Sequence, residues 1–176
     1  MTDHNSSGMG VDRRCGLIAI IGKPNVGKST LLNYLMGQKI SITSRKPQTT
    51  RHRLLGIKTS GNTQMIFVDT PGMHSGQNKA LNRYMNKTVQ SVIHDVDVIL
   101  FMVDRMKWST EDDLVLQELK HCSAPVFLLL NKVDLIEDKE ILLPYLNEKK
   151  SLFPFKEFFP LSALKQHNID ALESSI

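Results

Sequence analysis

Six short apolar runs, at residues 16–21, 54–59, 65–68, 98–103, 126–130 and 158–161, are separated by stretches at 31–36, 79–93, 111–121 and 139–152 in which apolar residues recur at helical spacing. The runs are nearly continuous rather than alternating, as strands buried on both faces are. Strand–helix alternation of this kind predicts a mostly parallel sheet covered by helices on both sides. One pair breaks the rule. The runs at 54–59 and 65–68 are joined by a short turn at Ser60, Gly61 and Asn62, so they are expected to form an antiparallel hairpin at one edge of the sheet. The predicted class is α/β, a three-layer fold with a six-stranded, mostly parallel sheet and one antiparallel edge strand.

The first run leads into Gly22-Lys23-Pro24-Asn25-Val26-Gly27-Lys28-Ser29, and the helical pattern begins with Thr30 and Leu31. Strand, glycine loop and helix N-terminus in that order give a G-x-x-x-x-G-K-S match its structural context, and make this the phosphate loop of a P-loop NTPase fold. Gly22 and Gly27 let the backbone approach a phosphate chain, and the loop N–H groups and the helix dipole then face the anion. Lys28 would bring positive charge to the β and γ phosphates, and Ser29 would offer its hydroxyl to Mg²⁺.

Three further stretches gain meaning from that loop. The third strand runs into Asp69-Thr70-Pro71-Gly72, where Asp69 is placed to hold Mg²⁺ through water and Gly72 to offer an N–H to a γ-phosphate. By composition alone the same four residues make an ordinary turn. The fifth strand ends in Asn131-Lys132-Val133-Asp134. Guanine presents its N1–H and 2-amino group to one carboxylate, so Asp134 would accept two hydrogen bonds from it, whereas adenine would set a lone pair against the carboxylate. Asn131 and the stem of Lys132 would brace the loop and the base. After the sixth strand, a backbone N–H of Ser162-Ala163-Leu164 would reach the guanine O6. Residues 38–53, rich in Ser, Thr and basic side chains, form a long polar connection beside the phosphate loop, read either as a functional segment or as a solvated basic loop.

Composition narrows the class further. With 176 residues and 41% hydrophobic content the chain suits one domain with a sizeable core, and residues 1–14 read as a polar, flexible tail ahead of a domain at 15–176. A net charge of +4, from 22 basic and 18 acidic residues, permits an anionic partner without demanding one. Cys15 and Cys122 supply neither a disulfide framework nor metal spacing, which favours a reducing, cytoplasmic setting. Every apolar run is too short to cross a bilayer. Thr110, Glu111, Asp112 and Asp113 read as a capped helix start rather than as paired catalytic carboxylates.

These motifs, together with residues 38–53 and Asp69 to His74, resemble the Era family of bacterial GTPases over everything from Cys15 onward. The resemblance implies GTP and GDP as ligands and Mg²⁺-dependent hydrolysis to GDP and phosphate. It also implies a role in small ribosomal subunit maturation through 16S rRNA, which is bound by a following KH-like domain; the chain would then end at Ile176 within the last helix of its GTPase domain. Peripheral membrane contact is implied by the resemblance alone, no DNA partner is expected, and RNA binding by these residues alone is expected to be weak. The family's Mg²⁺ and γ-phosphate threonine falls in Thr49-Thr50, with Thr50 favoured. Met73 stands where regulatory GTPases carry a water-orienting glutamine, so intrinsic hydrolysis is expected to be slow, on the order of 10⁻⁴ to 10⁻² per second. Asn25 would either coordinate K⁺ as a source of transition-state charge or only shape the loop. Two other classes compete: a P-loop phosphotransferase, which leaves Asn131 to Asp134 unexplained, and a nucleotide-stabilised RNA-binding module.

Overall fold

The computed structural model describes residues 13–37, 54–68, 90 and 92–176. The predicted connection at 38–53, the Asp69–Gly72 turn and nearly all of the helix predicted at 79–93 lie outside the described residues. Six strands form one sheet: β1 Arg14–Ile21, β2 Leu54–Ser60, β3 Thr63–Val68, β4 Val98–Asp104, β5 Val126–Asn131 and β6 Glu157–Pro160, in the order β2-β3-β1-β4-β5-β6. β2 and β3 pair antiparallel and every other neighbour pair is parallel, so the predicted edge hairpin is borne out. Helices α1 Lys28–Met36, α2 Thr110–Leu119, α3 Leu142–Lys150 and α4 Ile169–Ser175 and a 3₁₀ turn at Val133–Leu135 complete the described elements.

Apolar runs without alternation arise because the sheet is covered on both faces. In β1, Ile18 and Ile20 join one core layer while Ala19 and Ile21 join the other; β4 divides likewise, with Leu100 and Met102 on the first side and Ile99, Phe101 and Val103 on the second. The first layer is closed by Leu31 and Leu35 of α1 and Leu172 of α4, the second by Val115 and Leu119 of α2. Lys58 of β2 pairs with Glu173 of α4 at 2.5 Å.

Several boundaries move for local reasons. β1 starts at Arg14 instead of residue 16 because Arg14 donates to the Asn62 carbonyl of the hairpin turn at 2.9 Å. α1 already includes Lys28 and Ser29. α3 starts at Leu142, later than predicted, because Asp138 Oδ1 accepts the Glu140 N–H at 2.9 Å and holds a turn there. Pro144 then falls in the first turn, where a helix needs no donor.

Candidate guanine-nucleotide site

The carboxyl ends of β1, β4 and β5 come together, and the chemistry-bearing loops leave from there. The loop after β1 has three residues at positive φ: Gly22 at 142°, Asn25 at 62° and Gly27 at 111°. Both glycines have a reason beyond phosphate approach. A Cβ on Gly22 would collide with the Met102 carbonyl of β4, and one on Gly27 with Asn131 Nδ2 of β5. The loop is thus pressed against the strand ends, while Pro24, Asn25, Ser29 and Thr30 face solvent and Val26 is buried.

Helix α1 begins without a side-chain cap and without an acidic residue in its first turn, so its leading N–H groups and positive dipole end are left for an anion. Helix α2 is the opposite case. Its first turn carries Glu111, Asp112 and Asp113, and Asp112 Oδ2 accepts the Ser109 N–H at 2.9 Å.

Lys28 is 8% exposed and donates to the Gly22 carbonyl at 2.7 Å and the Lys23 carbonyl at 2.5 Å. An ammonium has three donors, so one remains for a phosphate oxygen. Burial lowers the Lys28 pKa to about 8 in the ligand-free protein. Phosphate oxygens favour the charged form, so binding above that pH takes up a proton and affinity falls as pH rises. Nucleotide affinity is expected to weaken about fourfold between pH 7 and 8.5, as measured by fluorescence titration at constant ionic strength. Unchanged affinity over that range would contradict the depressed pKa.

Asn131, 2% exposed, ties three loops together. Its Nδ2 donates to the Val26 carbonyl at 2.7 Å, its Oδ1 accepts the Ala163 N–H at 2.8 Å, and its own carbonyl accepts the Arg105 N–H at 2.8 Å. Lys132 sits at φ 64° and donates to Asp104 Oδ2 at 2.8 Å. Burial acts to raise the Asp104 pKa, but hydrogen bonds and charge from Lys132 and Arg105 outweigh it and hold the carboxyl below its ordinary value. Asp134 is exposed on the short 3₁₀ turn Val133–Leu135. Ser162 and Ala163 are buried and Leu164 is 72% exposed.

The structure therefore brings together Val26, Asn131 and Ala163 directly, and Lys28 with Gly22 and Lys23. Thr50, Asp69, Thr70, Pro71 and Gly72 lie outside the described residues, so of the three expected Mg²⁺ residues only Ser29 is placed; its exposed position in the first turn of α1, next to Lys28 in the chain, fits a metal held against phosphate oxygens. Two participants had escaped the sequence: Asp104, which anchors Lys132, and Asp112, whose carboxylate meets Lys23 at 2.7 Å. An acidic residue closing a buried strand was the available signal for Asp104. For Asp112 the only signal was its place in a helix-starting acidic cluster.

A doubly covered sheet with a phosphate loop after β1 and an Asn-Lys-x-Asp loop after β5 defines a P-loop GTPase fold. The chain belongs to the family of 50S ribosome-binding GTPases, whose family model matches residues 17–132. Within that family the resemblance to Era is borne out. GTPase Era of Pseudomonas fluorescens (strain Pf0-1) is 55% identical over 176 residues, 100% of this chain and 57% of the relative. GTPase Era of Azotobacter vinelandii is 56% identical over 173 residues, 98% of this chain and 56% of that one. The chain thus spans little more than half the length of these curated relatives. Among solved structures, Era in complex with MgGDPNP and nucleotides 1506–1542 of 16S ribosomal RNA matches with a TM-score of 0.71 at 39% identity, over 93% of this chain and 56% of that chain. A variant of Aquifex aeolicus Era bound to GDP·AlF4⁻ matches with a TM-score of 0.69 at 39% identity, over 92% and 55%.

No helix among the described residues is long and apolar enough to cross a membrane.

Proposed function

We propose that this chain is a Mg²⁺-dependent guanine-nucleotide switch that binds GTP and GDP and hydrolyses GTP slowly to GDP and phosphate. The observation that carries the reading is Asn131, which joins the phosphate loop at Val26 to the base loop at Ala163, so that one side chain holds both halves of a nucleotide site in register. In this reading the third N–H of Lys28 would donate to the β and γ oxygens, and Ser29, Thr50 and, through water, Asp69 would hold a Mg²⁺ that would supply positive charge beside the phosphates. Gly72 offers its N–H to the γ-phosphate, and release of Thr50 and Gly72 after hydrolysis is the conformational output. Asp134 reads the guanine edge, and the Ser162 to Leu164 loop closes over O6. By analogy with Era bound to 16S ribosomal RNA, the switch would act in a longer protein on the small ribosomal subunit. Its setting in that reading is the cytoplasm, with peripheral membrane contact as a further proposal.

Met73 supplies no hydrogen bond to orient water, so the transition-state charge needs another partner, and Asn25, exposed on the loop at φ 62°, is proposed to hold a K⁺ there. GTP hydrolysis with Mg²⁺ tests both proposals. Activity in K⁺ is expected to exceed that in Na⁺ at equal ionic strength by about tenfold or more, and Asn25→Ala is expected to erase the difference. Equal rates in the two cations would remove K⁺ from the mechanism, and absence of hydrolysis in both would leave binding without catalysis.

A further inference from the structure

Lys23, the second residue of the phosphate loop, turns away from where a phosphate would sit and is captured by the start of α2. Its ammonium donates to Asp112 Oδ2 at 2.7 Å, Ser109 Oγ at 2.8 Å and the Lys107 carbonyl at 3.3 Å. Three acceptors saturate its three protons. We propose that Asp112 is a positioning residue for nucleotide binding: its buried ion pair with Lys23 holds the phosphate loop in the shape that receives the β-phosphate. The inference rests on the GTP-binding reading above and deepens it.

Asp112 is fully buried, and its second oxygen, Oδ1, makes no hydrogen bond among the described residues. A carboxylate in that position depends on the Lys23 ammonium for charge compensation, and removing Lys23 strands it away from water, whereas Lys23 itself is only partly buried. A helix cap alone would not require this. The capping bond from the Ser109 N–H to Asp112 Oδ2 is local, whereas Lys23 reaches it from a different loop, 86 residues away from Ser109 in sequence.

The same residue also touches the Lys28 ammonium. The Lys23 carbonyl accepts from Lys28, so a side chain fixed to α2 fixes the carbonyl that aims Lys28. The loop also holds Asn25 at φ 62°, a left-handed conformation that a non-glycine residue keeps only where its surroundings enforce it. Two anchors do so, Asn131 on the Val26 carbonyl and Asp112 on the Lys23 side chain, and between them lie the exposed Pro24 and Asn25. Without the second anchor, the loop amides and Lys28 lose their common alignment on a phosphate, and small misplacements of this kind weaken binding steeply.

The test is binding of fluorescent GDP, with competition by unlabelled GDP and GMP, to wild type, Lys23→Met, Lys23→Arg, Asp112→Asn and the double variant Lys23→Met/Asp112→Asn, each first shown to be folded by its circular-dichroism melt. Wild-type binding of GDP is the control for the underlying reading; if it fails, that reading fails first. Given that control, Lys23→Met and Asp112→Asn are each expected to weaken GDP at least about tenfold and to lower the ratio of GDP to GMP affinity, since GMP lacks the β-phosphate. Lys23→Arg is expected to recover most of the loss, and the double variant to bind no worse than the weaker single one. Asp112→Asn keeps an acceptor for the Ser109 cap; should it still unfold, the two Lys23 variants decide alone. GDP affinity of folded Lys23→Met within twofold of wild type, an unchanged GDP to GMP ratio, or failure of Lys23→Arg to recover binding would overturn the proposal.

Discussion

Asp134→Asn is expected to weaken GTP and GDP binding by about 10²- to 10⁴-fold while leaving the ligand-free fold nearly unchanged. The size follows from the chemistry of the base. Two hydrogen bonds from the guanine N1–H and 2-amino group to one carboxylate are charge-assisted, each worth about 1.5–3 kcal/mol, and the neutral amide keeps at best one of them. It also turns an N–H₂ toward the guanine amine, donor against donor. Asp134 is exposed at the 3₁₀ turn, so the fold has little to lose. The same change creates a complement for xanthine, which carries a carbonyl in place of the 2-amino group. Affinity for xanthosine diphosphate is expected to rise as affinity for GDP falls, and competition titration with both nucleotides reads the exchange. Equal loss for both would mean that Asp134 shapes the loop without reading the base.

Legibility in the sequence differed between fold and site for identifiable reasons. Strand and helix order could be read because both faces of the sheet are covered: residues 98–103 and 126–130 are continuous apolar runs in which almost every side chain belongs to one core layer or the other. The hairpin could be read because two runs so close together cannot be joined by a crossover. Boundaries were less legible where a side chain intervened, as Asp138 does ahead of α3.

Within the site, the spacing of Gly22, Gly27, Lys28 and Ser29 carried the phosphate loop, because each type answers a requirement local to the chain. The roles of Asp104 and Asp112 were hard to read for the opposite reason. Their partners, Lys132 and Lys23, are distant in sequence, and nothing in a helix start reading Thr110-Glu111-Asp112-Asp113 marks which acid turns inward. Gly27 shows the limit of motif reasoning from the other side. Its lack of a side chain was assigned to phosphate approach, yet the same vacancy is filled by the Asn131 amide, so the phosphate and guanine motifs are packed into each other. A substitution at Gly27 is therefore also a substitution against Asn131.

Lys28→Met is expected to separate function from stability in opposite directions. The ammonium is buried at 8% exposure, and the fold pulls its pKa from 10.5 down to about 8, so at pH 7 the ligand-free protein keeps this charge at a cost. The sign follows from linkage. Between the folded and unfolded pKa values the unfolded chain binds more protons, so the ligand-free fold gains stability as pH rises through that window, and a neutral side chain of similar length gains it at every pH. Methionine gives up the part-buried hydrogen bonds to the Gly22 and Lys23 carbonyls, a loss expected to be smaller than the cost of keeping the ammonium desolvated. Ligand-free Lys28→Met should therefore melt several degrees above wild type, an effect of about 1–3 kcal/mol, while GTP hydrolysis falls about 10³-fold because the charge aimed at the β and γ oxygens is gone. Added GDP should raise the wild-type melting temperature and leave that of the variant nearly unmoved. A variant that melts below wild type without ligand would show that Lys28 is a structural cation whose carbonyl bonds outweigh its desolvation. In the expected case, the phosphate loop holds an unfavourable charge in place before any nucleotide arrives, and the nucleotide's phosphates relieve it.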